Sequence, residues 1–260
     1  MYRAMLLIIF MIVLTYVNQA QGLGLTIVYD NHICNEELET RWGFSCLVEG
    51  LEKTVLFDVG GEGPVLLNNM KKLHIDPGKI EVVVLSHVHY DHIGGLPDFL
   101  KKNPHVAVYL PKSFHHDIKE RVANAGATMV EVTQPSRICE NVYVTGELGY
   151  EIKEMSLVIK SRKGLILVTG CAHPGIVNIV KNAKNVFKTY VYLVAGGFHL
   201  SGMGERQLKG VIKEIKNEGV KKVAPCHCSG DLARTLFKQV YGEDFIRAGA
   251  GKKIPIQNGF

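Results

Sequence analysis

Within six residues the chain places three histidines and an aspartate, His87-Val88-His89-Tyr90-Asp91-His92, and Gly94-Gly95 follow closely. Neutral imidazoles and a carboxylate are ligands for zinc, iron or manganese, and so many of them in one short span are costly unless a cation sits among them. The spacing directs the donors toward two points. His87 and His89 can aim at one metal, and Asp91 and His92 at a second about 3.5–4 Å away, the separation that two-metal hydrolases use.

The element that must hold this cluster lies just before it. Residues 82–85 are Val-Val-Val-Leu, a short apolar β-branched run that reads as a fully buried strand. The cluster then occupies the loop past the strand's C-terminal end, where layered α/β folds bind ligands. Three later runs repeat the arrangement: an apolar strand, a glycine-flanked polar loop, then a helix. Residues 166–169 lead into Gly170-Cys171-Ala172-His173-Pro174-Gly175, residues 191–194 into Gly196-Gly197-Phe198-His199, and residues 222–224 into Pro225-Cys226-His227-Cys228-Ser229-Gly230. The four loops are expected at one sheet edge. Asp58, at the end of the strand 54–58, is expected to be a buried carboxylate that orients a ligand histidine or the motif loop. Asp30-Asn31-His32 is a polar turn that could border the same cleft. His74, His105, His115 and His116 carry no comparable context.

Around these loops the pattern predicts strands at 25–29, 42–49, 54–58, 105–110, 128–133, 141–145, 156–161, 164–169, 189–195 and 220–224. Helices are predicted at 64–74, 96–102, 113–125 (with Ser113 as N-cap), 175–187, 204–218 and 231–241. Two β-rich stretches, each followed by β/α alternation, imply two stacked sheets with helices outside. No linker or low-complexity segment interrupts residues 23–260, which read as one catalytic domain.

Taken together, these motifs resemble the metallo-β-lactamase superfamily, whose signature is the His-x-His-x-Asp-His loop after a strand. The resemblance implies an α/β fold of the αββα sandwich type, with two mixed sheets and helices outside. It also implies a dinuclear site of two divalent metal ions, zinc before iron or manganese. His227 matches the superfamily's late histidine, and Cys171 falls where an aspartate or cysteine ligand is placed. The usual middle histidine is absent, because residues 134–165 contain none. His173 is therefore expected to serve as third ligand beside His87 and His89. Cys171 is open to two readings, a ligand or a buried thiol. His199 is expected to hold substrate or support a ligand rather than bind metal.

A narrower likeness covers residues 24–257. Tyr29-Asp30-Asn31, Trp42-Gly43-Phe44-Ser45, Gly196-Gly197-Phe198-His199 and Pro225-Cys226-His227-Cys228 are similar to a subgroup of that superfamily. The subgroup includes archaeal 7,8-dihydropterin-6-methyl-4-(β-D-ribofuranosyl)-aminobenzene-5′-phosphate synthases. The resemblance thus implies a metal-dependent hydrolase that uses a metal-activated water on a phosphate-bearing or other anionic small molecule. In that reading Asp91 both binds metal and orients the nucleophile. One alternative is a transferase that condenses a dihydropterin with an arylamine phosphate. Another is a metal-binding protein without turnover.

Composition bounds the partners. The chain has 260 residues, 47% hydrophobic and 21% charged, with a net charge of +5. No basic run with interleaved aromatics occurs, so nucleic acid is not an expected partner. Residues 4–17 are uncharged and apolar, preceded by Arg3 and followed by Asn18-Gln19-Ala20-Gln21-Gly22, the layout of a secretory signal peptide. Residues 1–22 are thus expected to export the protein or attach it to a membrane. The alternatives are an uncleaved anchor and a misassigned start codon, and a cytoplasmic location. The six cysteines show no disulfide framework in their spacing.

Overall fold

A computed structural model describes residues 22–256. The expected leader lies outside the described residues. Among the described residues no helix is long and apolar enough to cross a membrane.

Among the described residues thirteen strands form two sheets. The first holds β1 (Gly24–Tyr29), β2 (Ser45–Glu49), β3 (Val55–Phe57), β4 (Val82–Val84), β5 (Ala107–Pro111), β6 (Thr128–Val132) and β13 (Lys253–Pro255), in the order β13-β1-β2-β3-β4-β5-β6. The second holds β7 (Ser136–Cys139), β8 (Val142–Val144), β9 (Leu157–Ser161), β10 (Gly164–Thr169), β11 (Val191–Gly197) and β12 (Lys222–Cys226), in the order β12-β11-β10-β9-β8-β7. Both are mixed: β3 to β6 and β10 to β12 run parallel, and the remaining pairs are antiparallel.

The two-residue period of the strands explains the layers. Val55, Phe57, Val82 and Val84 point between the sheets and meet Ile166, Val168, Leu193 and Ala195 from the other side. Their neighbours Leu56 and Val83 point outward, under α1 (Gly63–Lys72), α3 (Leu96–Lys102) and α4 (His116–Asn124). Leu165 and Leu167 point outward on the second sheet, under α5 (Ile176–Phe187), α6 (Glu205–Asn217) and α7 (Asp231–Tyr241). Strands buried on both faces must be apolar throughout, and the valine run of β4 meets that requirement. The result is the αββα sandwich expected from the sequence.

Four details differ from expectation. The second half of the metal-ligand motif is a helical turn, α2 (Tyr90–Ile93), rather than loop. Ser113 does not cap α4, which begins after His115; the Ser113 amide instead donates to Glu147 Oε1. Strands β7 and β13 were not expected. Both are short edge strands, and β13 buries only Ile254 between Lys253 and Pro255. Finally, the four polar loops do not share one sheet. β4 lies in the first sheet and β10, β11 and β12 in the second, so their loops meet across the end of the sandwich.

Candidate metal centre

The parallel strands of both sheets end at the same rim, and their loops bring eight predicted residues together. His87, His89 and His173 form one donor group and Asp91, His92, Cys171 and His227 another, each with donor atoms within 4.8 Å of one another. His199 belongs to neither group. It packs against His173 with ring centroids 4.3 Å apart and planes tilted by 50°, and its donor atom lies within 4.8 Å of those of Cys171 and Cys228.

Asp58 orders both groups. It is fully buried and directly follows β3, beside β4. Its Oδ1 accepts the Ser86 amide at 2.7 Å, and its Oδ2 accepts the Ser86 hydroxyl at 2.7 Å and faces His92 Nδ1 at 2.7 Å. Ser86 Oγ spends its only hydrogen on Asp58, so at 2.9 Å it accepts from His87 Nδ1. One carboxylate thereby places the proton on Nδ1 of both His87 and His92 and leaves both Nε2 atoms as bare lone pairs. Gly170 permits this arrangement, since a Cβ there would run into Ser86 Oγ and Asp58 Oδ2.

His227 follows the same logic from the other sheet. Asn31 Nδ2 donates to the His227 carbonyl, so Asn31 Oδ1 accepts from His227 Nδ1 at 2.9 Å. Asp30 Oδ2 accepts the His227 amide at 3.1 Å. His227 Nε2 is buried without a hydrogen-bond partner, although Asp91 Oδ2 lies 3.2 Å away.

The bare nitrogens converge. His87 Nε2 lies 3.1 Å from His89 Nδ1, and His173 Nε2 lies 3.2 Å from the same atom. His92 Nε2 lies 3.2 Å from Cys171 Sγ and 3.5 Å from Asp91 Oδ2. Lone pairs pointed at one another without enough protons are repulsive, and a cation at each convergence removes the repulsion. The donor sets, three imidazoles in one group and two imidazoles, a carboxylate and a thiol in the other, therefore fit divalent metal ions.

The electrostatics agree. Burial holds His87 well below the ordinary histidine range, reinforced by the neighbouring imidazoles. Burial and then His199 and His89 take His173 down to about 4. Burial also lowers His89. This trio is neutral at physiological pH, as ligands must be. Burial opposes charge on His92 as well, but Asp58 more than offsets it and raises that group. For Asp91 burial is likewise outweighed, by the imidazoles of His227 and His92 beside it, and the carboxyl falls to about 2.

Three contributors escaped the sequence reading. Glu154, fully buried, accepts the amides of Cys171, Ala172 and His173 at 3.0, 2.9 and 2.8 Å and so shapes the loop carrying two donors. It lies in the stretch without histidine, where an acid just ahead of an apolar strand was the only signal. Trp42 places its ring 4.9 Å from that of His227. Cys228 is hydrogen-bonded with Cys171, which raises the Cys171 thiol and lowers Cys228; the His199 amide also donates to Cys228 Sγ at 3.3 Å. All six cysteines are free.

Asp58, Ala172, His199 and His227 all have left-handed backbones, with φ of 56°, 62°, 52° and 48°. Non-glycine residues adopt this conformation at a cost, and its concentration in these loops marks a site built under constraint.

Comparison with known proteins gives the same frame. A family model of the metallo-β-lactamase superfamily matches residues 43–175. The chain is 32% identical, over 85% of its length and 92% of the relative's, to the 7,8-dihydropterin-6-methyl-4-(β-D-ribofuranosyl)-aminobenzene-5′-phosphate synthase of Methanocaldococcus jannaschii. It is 28% identical to the solved structure of Tm1679, described as a metal-dependent hydrolase of the β-lactamase superfamily. That likeness has a TM-score of 0.76 and covers 90% of this chain and 99% of the other. The metallo-β-lactamase fold protein YhfI of Bacillus subtilis shares the fold at 14% identity, with a TM-score of 0.67 over 90% of this chain and all of that one.

Proposed function

The chain belongs to the metallo-β-lactamase superfamily, and we propose that it is a two-metal hydrolase of anionic, phosphate-bearing small molecules. One observation carries this reading: two neighbouring donor groups whose bare nitrogens face only other donor atoms of those groups. His87, His89 and His173 would hold the first metal, and Asp91, His92, His227 and Cys171 the second. Zinc suits this mixture of imidazole, carboxylate and thiolate, with iron or manganese as the alternatives.

When bound, the metal pair would supply Lewis acidity and bring the pKa of a water toward 7. The protein's own groups do the rest. Asp91, ionised throughout the neutral range, reaches into the second group while only partly exposed, and there it would orient the attacking water. His199 is raised by its hydrogen bond with Cys228, although burial opposes this. It therefore carries positive charge more readily than an ordinary histidine and would hold an anionic substrate group. The backbone amides that open α5 after Pro174 would assist it.

A second reading is favoured by the likeness to the Methanocaldococcus synthase. Here the same site would bind a pyrophosphate leaving group and join a pterin to an arylamine phosphate. The test incubates metal-loaded protein separately with bis(p-nitrophenyl) phosphate, a lactone, and the pterin pair. Hydrolysis that falls by about 100-fold or more in Asp91→Asn is expected. Condensation with no hydrolysis of any ester would overturn the hydrolase in favour of the synthase.

A further inference from the structure

Two cavities adjoin the metal-facing histidines. One, of about 620 Å³, extends toward the loop carrying Tyr150 and is bounded by Leu148, Tyr150, Ile152, His173, Asn178 and Asn182. The other, of about 330 Å³, extends toward the loop carrying Met203. Its apolar floor includes Ile176, Phe198 and Leu200, and its wall again contains His173 and Asn178, now joined by His199. His173 therefore stands where the cavities meet, with the tilted ring of His199 packed beside it. His173 Nε2 also faces His89 Nδ1, so this shared wall is the rim of the donor cluster itself.

The two sides differ in chemistry. Leu148 and Glu154 exchange both backbone hydrogen bonds at 2.9 Å, which closes a loop over residues 149–153. Glu154 anchors its base to the Cys171–His173 amides, while Tyr150 near its tip is 98% exposed. An aromatic ring left in water, on a loop fixed to the site, is a platform for a flat ligand. On the other side Met203, partly exposed, caps an apolar floor with an adaptable thioether. Both volumes suit small organic groups.

We propose that the two cavities are the halves of one cleft that takes a two-armed anionic ester, such as a phosphodiester with an organic group on each oxygen. The anionic junction lies over His173 and His199, a flat arm rests against Tyr150, and a smaller apolar arm fills the cavity under Met203. The proposal rests on the hydrolytic reading of the metal centre and specifies its substrate class. A monoester would leave one cavity unused.

Calorimetric titration of the metal-loaded full chain with diphenyl phosphate and methyl phenyl phosphate tests this. Diphenyl phosphate is expected to bind at least about tenfold more tightly, the effect of burying a second ring. Tyr150→Ala removes one platform, and Val211→Trp, at a residue that lines the smaller cavity, fills the other. Each is expected to erase most of that difference while metal content stays at two ions per chain. If Val211→Trp lowers the unfolding midpoint, Met203→Ala probes the same arm. Equal wild-type affinities, or a difference that survives both substitutions, would overturn the proposal. Because binding is read without turnover, tight two-armed binding with no hydrolysis would sink only the hydrolase reading. Hydrolysis without two-armed preference would sink only the cleft.

Discussion

Asp58 illustrates how one residue can govern a site it does not enter. It binds neither convergence of donors, yet it sets the tautomers of His87, through Ser86, and of His92 directly. Asp58→Asn keeps the size but offers an amide N–H where an acceptor stood, which favours protonation of the metal-facing nitrogens. Its metal affinity is expected to fall about 10- to 100-fold, measured by competition with a chromogenic chelator. Wild-type affinity in that variant would refute the role given to Asp58. Trp42 offers a direct readout, since it is the only tryptophan in the chain and lies against His227. Metal loading should change its fluorescence, and His227→Ala should abolish the change. A loading curve unaffected by His227→Ala would place the metal elsewhere.

At the scale of elements, the site is assembled from strand-to-helix loops that tolerate unfavourable backbone for the sake of donor direction. Asp58, Ala172, His199 and His227 each accept a left-handed conformation costing on the order of 1 kcal/mol. Lys188 does the same at the C-cap of α5, with φ 53°, but holds no donor there and its side chain reaches only Asn185. Glycine is the natural residue for such a cap. Lys188→Gly is therefore expected to raise stability by about 0.5–1 kcal/mol, read as a higher urea midpoint at unchanged slope. A lower midpoint would show that the lysine's exposed contacts outweigh the backbone cost.

Over the whole molecule, the site is also a clamp between the two sheets. Asp30 follows β1 in the first sheet and accepts the amide of His227, which follows β12 in the second. Burial raises its carboxyl from 3.8 to about 6, against the hydrogen bond it accepts from His32. The folded state thus holds the Asp30 proton more tightly than the unfolded chain between those values. Its contribution is fully present below about pH 4 and is lost as pH rises to about 6, a change on the order of 3 kcal/mol. Asp30→Asn, which stays neutral, should flatten that part of the stability profile in chelator-treated protein. An unchanged profile from urea titrations at pH 4, 5 and 6.5 would remove Asp30 as its cause. Metal itself should stabilise the fold by binding only the folded state, so chelation should lower the unfolding temperature.

Much of this was legible in the sequence, because it rests on local pattern. Short β-branched runs ending in glycine-flanked polar loops identify buried strands with exposed ends, and His-x-His-x-Asp-His can be read as donors within one segment. The chain alone therefore pointed to the layered fold and to the eight residues that converge, His173 beside His87 and His89 among them. It could not show that β4 and β10 to β12 lie in different sheets, since strand order depends on long-range pairing. Nor could it reveal Glu154, Trp42 or the reach of Asp58, whose partners are distant in sequence or reached through another side chain. Donor types and spacing are written locally. Which lone pairs face one another, and which carboxylate holds their protons away, is decided only when the ends of two sheets close on a single rim.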